Sequence, residues 1–378
     1  MTTYICTCGI SIITKRNIDF EKIKGIPLTQ WEKYGTDIEL IKEQVLSELQ
    51  NISLSQDLND TSAEIKSLIK MGLKPNDKVI LISTYTIDGK LGAELVREFL
   101  ISKKLIAKGN IQIKEIKGLQ ANDGKKFANE GIKNLLSSLI KYEYKNIVLN
   151  ITGGYKSVIP YLALIGMLFN KPIRYIHEDS EDIITLAHIP LLLNEEIILK
   201  VEPKLRKIEK ETAISKEEWQ KGIDYNDHRF DCLIEEENAH VTLSGIGFLF
   251  WERFKIDYPE DLPRDNTNTL PYKKPNGLKT QRKAHHGRDR IMHLADKVLQ
   301  SPFVKKVLKS CEYQPKKNRW VTPLNNKEAE KYIQHPSESI CIVTDIHSDA
   351  GYCFLTETTA RNYDENKRIA EILERRYF

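Results

Sequence analysis

Several common signatures are missing from this 378-residue chain. It contains neither the Gly-x-x-x-x-Gly-Lys-Ser/Thr phosphate loop nor the Gly-x-Gly-x-x-Gly fingerprint, so nothing in it supports a P-loop or a dinucleotide-binding fold. It has no run of about 18 uncharged apolar residues and no apolar signal pattern at its N-terminus. We therefore expect a cytoplasmic protein that does not bind a membrane.

Metal-site patterns are also missing. The six cysteines are scattered, and Cys6-x-Cys8 has no second pair to complete a zinc site. No predicted strand ends in the spaced Asp…Glu-x-Lys set of metal-dependent nucleases. We expect no metal and no cofactor, and thiols that are reduced and mostly buried.

The most informative segment is 150–157, Asn-Ile-Thr-Gly-Gly-Tyr-Lys-Ser, which lies between an apolar strand and an apolar helix. A strand that breaks at Gly-Gly and continues as a helix directs unpaired N–H groups and a positive dipole end at one point. The glycines allow close approach, and Thr152, Lys156 and Ser157 add donors for phosphate. The alternative is a tight turn with a solvated lysine.

Strands and helices alternate over residues 1–202, which predicts an α/β domain with a parallel sheet of the Rossmann-like class. Ligands of such sheets bind beyond the carboxyl ends of the strands. Three small polar loops meet this condition: Cys8 to Ser11, Ser83-Thr84, and Thr152 to Lys156. Their convergence strengthens the interpretation of a nucleotide or phosphate site.

The pattern changes near residue 203. A charged helix to Glu211 is followed by an N-cap signature at Ser215, a short helical stretch at 229–236 and a strand at 240–243. Residues 244–251 then form an apolar turn and helix. This order predicts a small winged-helix module over 203–258, with a plain helical spacer as the alternative.

The last segment, 259–378, is rich in positive charge. Residues 261–320 hold 15 Lys/Arg and 5 Asp/Glu, a surplus of +10, so the rest of the chain sums to −6. This predicts either a polyanion-binding surface or a solvated face. We expect helices at 283–293 and 302–310, then β-prone segments with a hairpin turn at 349–351, and a last helix from Glu365. The segment is predicted to be a small α+β domain.

The chemistry that fits this composition is metal-free RNA cleavage. Attack of a 2′-OH on its own phosphate needs a proton acceptor, a proton donor and cations against the developing charge. Histidine and arginine supply these functions. The available residues are His285, His286, Arg288, Arg290, His293, Arg319 and Arg361. Of these, the candidate catalytic residues are His285, His286, Arg288, Arg319 and Arg361, all as chemical hypotheses. For each histidine, a structural or surface role is the alternative.

The three polar loops resemble those of CRISPR-associated Rossmann-fold (CARF) sensor domains of type III systems, in the subgroup with a Thr-Gly-Gly-x-Lys loop. That resemblance implies a homodimer that binds a cyclic oligoadenylate, for which cyclic tetra-adenylate is the expected activator. The residues expected to line the ring are Gly9, Ser11, Ser83, Thr84, Thr152, Gly153, Gly154 and Lys156. Slow ring cleavage aided by Ser11 and Lys156 is a second expectation.

The whole-chain order resembles CARF proteins with a winged helix and a C-terminal RelE-like mRNA interferase. Enzymes of the RelE class cut mRNA on the ribosome without a metal, so mRNA and the ribosome are the implied partners. Two alternatives stay open. One is a HEPN ribonuclease that uses the Arg288-x-x-x-x-His293 pattern on free single-stranded RNA, and the other is a DNA-binding regulator without catalysis.

Overall fold

The computed structural model describes residues 1–54, 58–120, 124–140, 146–177, 180–187, 189, 194–265, 274–278, 288–312, 319–345 and 352–378, with only the backbone at 196, 288, 312 and 352. These residues divide into two compact units, Met1–Phe254 and Lys255–Phe378. The three-domain division at 202/203 and 258/259 stays a prediction. No helix among these residues is long and apolar enough to cross a membrane.

The first unit is built on a six-stranded sheet in which all but one neighbouring pair is parallel. The strands are β1 Thr3–Thr7, β2 Lys78–Thr84, β3 Ile111–Ile116, β4 Ile147–Asn150, β5 Ile173–Tyr175 and β6 Ile184–Leu186, in the spatial order β3-β2-β1-β4-β5-β6. Only β6 runs antiparallel, on the edge beside β5. The predicted Rossmann-like α/β class is thereby confirmed for this unit.

Helices cover this sheet because its central strands are buried on both faces. They are α1 Ser11–Thr14, α2 Gly35–Gln50, α3 Ala63–Lys70, α4 Ile87–Ser102, α5 Gly124–Lys126, α6 Ile132–Ile140 and α7 Ile159–Leu168, with a π-helical turn at Phe127–Gly131. Ser62 and Thr86 cap α3 and α4 by accepting the N–H groups of Ile65 and Gly89. These caps fix where two helices begin beside the carboxyl edge of the sheet.

A smaller group of elements completes the first unit. It comprises α8 Glu195–Glu211, β7 Ile214–Ser215, α9 Lys216–Gln220, a 3-10 helix at His228–Leu233, β8 Ile234–Glu237, β9 His240–Leu243 and most of α10 Gly245–Asp257, whose residues from Lys255 onward belong to the second unit. The three strands form an antiparallel sheet in the order β7-β9-β8. Ser215 caps α9 as its sequence signature predicts. The prediction of helix up to 236 is wrong from residue 234 onward, because pairing with β9 makes 234–237 a strand.

The second unit is a four-stranded antiparallel sheet with helices, in the order β10-β13-β12-β11. Its elements are α11 Arg288–Leu299, β10 Val304–Glu312, β11 Val321–Pro323, α12 Asn326–Ala329, β12 Ile340–Thr344, β13 Tyr352–Thr358 and α13 Tyr363–Tyr377. Buried Asn366 ties α13 to the sheet, donating to the carbonyl of Ile340 and accepting from the hydroxyl of Thr358. The predicted hairpin turn at 349–351 lies outside the described residues.

The segment 302–310 corrects a second prediction. It is expected to be helical, but Val304 onward forms strand β10, paired with β13. Two register shifts, between Val304 and Lys306 and between Val307 and Lys309, interrupt the pairing. Such irregularities break the two-residue alternation by which a strand is recognised in sequence.

Candidate functional site

The candidate site lies where the strand order of the first unit reverses direction. Strands β1 and β4 are neighbours at the centre of the sheet, and the chain leaves them toward opposite sides. In open α/β sheets this switch point forms a crevice at the carboxyl ends of the strands. The loops that follow β1 and β4 carry Gly9 and the pair Gly153-Gly154, so the structure brings together two of the three predicted loops.

These two loops touch through backbone atoms. A Cβ on Gly9 would lie 3.0 Å from Cα of Gly154, and one on Gly154 would lie 2.7 Å from Cβ of Thr7. Gly154 also has φ of +86°, a conformation that favours glycine. The Thr7 hydroxyl donates to the carbonyl of Gly153. Only glycine allows this approach, which explains the Gly-Gly sequence physically.

The loop after β4 presents a row of backbone donors. Among the described residues, the N–H groups of residues 153–157 make no hydrogen bond, and the 3-10 turn Lys156–Val158 leads directly into α7. Consecutive N–H groups at a helix start attract anions. The Lys156 side chain is exposed and has no polar partner within the described part of the chain. The arrangement is suited to a phosphate group.

The Thr152 hydroxyl is hydrogen-bonded within the protein. Its hydroxyl donates to Oδ1 of Asn150 at 2.7 Å and accepts from the N–H of Ile176 at 3.1 Å. Asn150 is itself buried, and its amide donates to the Ser67 hydroxyl at 2.7 Å. The Thr152 side chain therefore joins β4 to the end of β5, and its placement is that of a residue that shapes the loop.

A buried carboxylate lies beneath the two glycine loops. Glu64, in the first turn of α3, is fully buried and accepts from the N–H of Gly9 at 2.8 Å and from the hydroxyl of Ser11 at 3.0 Å. Ser11 also accepts from the N–H of Ala63 at 3.2 Å. A Cβ on Gly153 would overlap the Glu64 carboxylate. Glu64 therefore occupies donors that an anionic ligand would otherwise use.

The third predicted loop contributes less exposed surface. Ser83 lies inside β2 and is fully buried, with a hydroxyl that has no partner in the described structure. Thr84 ends β2 half-buried, and its hydroxyl is 2.8 Å from that of the helix cap Thr86. Gly92 of α4 packs against the carbonyl of Gly9. The β2 end thus supports the β1 loop through α4.

Two lysines of α3 fix the connection between β5 and β6. Lys70 and Lys66 lie 2.6 Å and 3.0 Å from the Glu181 carboxylate, and Lys66 also donates to the carbonyl of Ser180. Hydrogen bonds from Lys70, and then from Lys66, lower the pKa of Glu181 to about 2. The same helix that carries Glu64 thereby contacts this connection as well.

Helix α7 connects the glycine loop with α10. The carbonyl of Leu168, the last residue of α7, accepts from Nε of Arg253 at 3.2 Å. At the start of α10, Gly245 packs against Tyr161 of α7, with 3.7 Å between its Cβ position and Cε1 of the ring. Gly245 also contacts Ile132 of α6. Residues 245 and 253 of α10 are therefore in direct contact with α7, which follows the Gly-Gly loop.

Two of the five candidate catalytic residues are described with side chains, and both form ion pairs. Arg319 lies 3.1 Å from the Glu374 carboxylate and Arg361 lies 2.6 Å from that of Glu365. Arg361 also donates to the carbonyl of Asp261. Glu365 is in the first turn of α13 and Glu374 in the last, about 14 Å apart along the helix axis. The two arginines are thus placed at different ends of one helix.

The other three candidate catalytic residues are not described with their side chains. His285 and His286 lie outside the described residues, and for Arg288 only the backbone is described, at the start of α11. His293, the second member of the HEPN-type pattern, is exposed on α11. Within the described ranges no cluster of His, Cys, Asp and Glu side chains is arranged to hold a metal ion.

The basic segment 261–320 is partly neutralised by carboxylates where it is described. Arg290 lies 2.8 Å from the buried Asp345, and Lys305 and Lys306 lie within 3.6 Å of Glu357. Lys274 is buried and donates to two backbone carbonyls, and burial lowers its pKa. In the part of this segment that the structure describes, the net positive charge at the surface is therefore smaller than the count of basic residues indicates.

Glu64 and Asn150 are the residues that sequence reasoning misses. Glu64 follows an N-cap serine, where an acidic residue is ordinary for the helix dipole, and nothing in its neighbours marks it. Asn150 ends an apolar strand just before the Thr-Gly-Gly turn. A polar residue at that position was the available signal.

Comparison with known proteins gives one family match. Residues 59–189, about a third of the chain, match the model of a CRISPR-associated protein family, Cas_APE2256. This span includes β2 to β6 and the Gly-Gly loop but not β1. No curated protein matches the chain.

Among solved structures, Can2 from Sulfobacillus thermosulfidooxidans in complex with cyclic tetra-adenylate is similar at 12% identity. The alignment covers 81% of this chain and 88% of that protein, with a TM-score of 0.25. A TM-score this low supports no assignment. The family match is therefore the comparison that carries weight, and it is limited to residues 59–189.

Proposed function

We propose that this protein is a cyclic-oligoadenylate-activated ribonuclease of type III CRISPR defence. Residues 1–202 would be the CARF sensor, 203–258 a winged-helix module and 259–378 a RelE-like domain that cleaves mRNA without a metal. The observation that carries the sensor assignment is the pair of glycine loops at the switch point, with free N–H groups beside an exposed lysine. The CRISPR-associated family match over 59–189 supports the same biological setting.

The proposed ligand fits the chemistry of this edge. A cyclic oligoadenylate carries one phosphate per nucleotide, and the N–H groups of 153–157 together with Lys156 would hold one of them. Tyr155 is half-buried with its ring against Phe127, at 5.4 Å between centroids. A homodimer would present each loop twice to a two-fold ring such as cyclic tetra-adenylate. Gly9, Gly153 and Gly154 would then approach the ring by backbone.

The remaining predicted ring residues take supporting roles in this proposal. The hydroxyls of Ser11 and Thr152 are already bonded inside the protein, and the buried Ser83 and the half-buried Thr84 lie at the end of β2. A ligand phosphate would reach the Ser11 hydroxyl only by replacing Glu64. Activation would therefore start with movement of α3 relative to the β1 loop.

The signal would leave the site through α7. Ligand binding at residues 153–157 would change the start of α7, whose other end bonds to Arg253 of α10. A ligand shifts this equilibrium only by binding the active arrangement more tightly. The winged-helix module would serve in transmission, because its outer strand β8 carries Glu235, Glu236 and Glu237, which repel nucleic-acid phosphates.

In the C-terminal domain, His285 or His286 would transfer protons and the arginines would neutralise the phosphate. Arg319 and Arg361 lie at opposite ends of α13, so a single scissile phosphate would engage only one of them. Each would first exchange its carboxylate partner for phosphate. Arg288 begins α11 and completes the proposed set.

The sensor proposal is tested by titrating cyclic tetra-adenylate into the wild type, Lys156→Ala and Lys78→Ala. Lys78 is an exposed lysine at the opposite, amino edge of the same sheet, and so controls for loss of one positive charge. We expect Lys156→Ala to weaken binding roughly tenfold or more, as for loss of a charge-assisted phosphate contact, and Lys78→Ala to bind like the wild type. Equal affinity of all three proteins would disprove the site.

The nuclease proposal is tested by RNA cleavage in EDTA, with and without cyclic tetra-adenylate, on naked RNA and in a translating ribosome mixture. Cleavage that requires the ligand and increases with ribosomes is expected. Cleavage of naked RNA alone would favour the HEPN alternative. Ligand binding without any cleavage would leave a sensor with a non-catalytic C-terminal domain.

A further inference from the structure

Two cysteines of the C-terminal unit face each other across neighbouring strands. Cys311 on β10 and Cys353 on β13 are directly opposed in the antiparallel register, and their Sγ atoms lie 2.8 Å apart. Cys353 is buried, whereas Cys311 is half-buried. Neither residue belongs to the candidate catalytic set, so this pair is unaccounted for by the proposed function.

The backbone geometry at this position suits a disulfide. Directly opposed residues of an antiparallel pair have Cα atoms about 4.5 or 5.5 Å apart, within the range of about 4.4–6.8 Å that a disulfide spans. The two side chains point to the same face of the sheet, since opposed residues always do. Joining the sulfurs would therefore require no rearrangement of the strands.

We propose that Cys311 and Cys353 form a redox-active pair that is oxidised by low-molecular-weight disulfides. The more exposed Cys311 thiolate would attack one sulfur of the reagent, forming a mixed disulfide and releasing one reagent thiol. Cys353, after losing its proton to solvent, would attack Sγ of Cys311 and release the second reagent thiol. Two protein thiols are oxidised to one disulfide, and one reagent disulfide is reduced to two thiols.

The surroundings set the rate of the first step. The hydrogen bond with Cys353, and then burial, raise the pKa of Cys311, while the charge of Lys309 acts in the opposite direction. The thiolate fraction is therefore low, and the exchange is slow at neutral pH. Lys309 also brings a positive charge near the sulfur, which favours an anionic reagent such as oxidised glutathione.

The other cysteines provide internal comparisons. Cys232 is exposed, and no second cysteine of the described residues is bonded to it; its thiol instead donates to the carbonyl of Arg229. Cys341 is buried and donates to Asn366. We expect Cys232 to stop at the mixed disulfide, Cys341 to stay reduced, and only the 311–353 pair to form an internal bond.

The disulfide would join β10, the first strand in the order of the four-stranded sheet, to its neighbour β13. It would also close the chain between residues 311 and 353, which includes β11, α12 and β12. Such a closure restricts the unfolded state more than the folded one. The oxidised protein is therefore expected to melt at a higher temperature than the reduced protein.

The experiment treats the folded full-length protein with oxidised glutathione, followed by acid quench, digestion without reductant and mass spectrometry. The expected product is a peptide pair joined through Cys311 and Cys353, reversed by dithiothreitol. Cys232→Ser should keep this product, and Cys311→Ser should lose it. Thermal unfolding should show a higher midpoint on oxidation for the wild type and for Cys232→Ser, and no such rise for Cys311→Ser.

Two results would overturn the proposal. One is a mixed disulfide of glutathione with Cys311 that does not go on to form a bond with Cys353, in a sample where Cys232 has reacted with glutathione. The other is a 311–353 bond that forms only when the protein is first unfolded in urea, which would show that the folded strands do not bring the sulfurs together. Neither result depends on ligand binding or RNA cleavage, so the test is independent of the proposed function.

Discussion

Replacing Glu64 by Gln would change stability and ligand affinity in opposite directions. The side chain is fully buried and both of its oxygens accept hydrogen bonds, from Gly9 and from Ser11. Glutamine keeps the shape and one acceptor, but its NH2 group cannot accept the hydrogen bond that the Ser11 hydroxyl donates to Glu64. We expect the free energy of unfolding to fall by about 1–3 kcal/mol, the usual loss when a hydrogen bond to a charged group is removed.

The same substitution removes a negative charge beside the proposed phosphate site. For a phosphate about 7 Å from the carboxylate, the repulsion is about 2 kcal/mol at an effective dielectric constant of about 20. Solvent and salt reduce this value. We expect cyclic tetra-adenylate to bind roughly tenfold more tightly to Glu64→Gln, which corresponds to about 1.4 kcal/mol.

Asp77→Asn is the matched control. Asp77 is also a buried carboxylate that accepts two backbone N–H groups, from Thr2 at 2.8 Å and from Lys74 at 3.1 Å, but it precedes β2 at the opposite edge of the sheet. Urea unfolding without ligand should show similar losses for both variants, and calorimetric titration should show tighter binding for Glu64→Gln alone. Weaker binding by Glu64→Gln, or an equal change in Asp77→Asn, would refute the reasoning.

Three further predictions concern the same structure. Gly154→Ala should cost about 1–3 kcal/mol of unfolding free energy and impair ligand binding, because φ is positive and the new Cβ would meet Thr7; urea unfolding and titration measure this. The pKa of Glu181 is about 2 in the folded protein and 4.5 ordinarily. The ionised side chain therefore stabilises the protein at pH values above 4.5, and this stabilisation is lost as the pH falls from 4.5 toward 2. The free energy of unfolding of Glu181→Gln should therefore fall less than that of the wild type between about pH 5 and 2. An equal fall in both proteins would contradict this prediction. If one phosphate is held, Arg319→Ala and Arg361→Ala should not both lower RNA cleavage strongly; equal large losses would contradict their separation along α13.

The α/β part of the fold is predictable from sequence because its signals are local. The apolar runs at 78–82 and 111–116 are strands at the expected places, and the Gly-Gly turn does separate a strand from a helix. Apolar strand segments that alternate with segments of helical periodicity are compatible with few folds other than a parallel sheet covered by helices. The edge of the sheet at which we propose that the ligand binds follows from strand direction alone, before any side chain is considered.

The missed features depend on contacts between distant segments. Strand β10 is hidden by its register shifts, and 234–237 is a strand despite three glutamates because β9 pairs with it. Glu64 reaches the site only because α3 packs under the β1 loop. The sequence also does not show that Arg319 and Arg361 pair with glutamates near opposite ends of α13. Spacing in the chain carries no information on such placements.

The contact between Gly9 and Gly154 also restricts how the sequence of this protein can evolve. At each position a Cβ would collide with the backbone of the other loop. A substitution of either glycine is therefore tolerated only with a compensating change in the opposite loop. Gly92 extends the dependence to α4. Substitutions in these three segments should therefore be inherited as linked sets, and a library that randomises one loop alone would recover mostly glycine at its contact position.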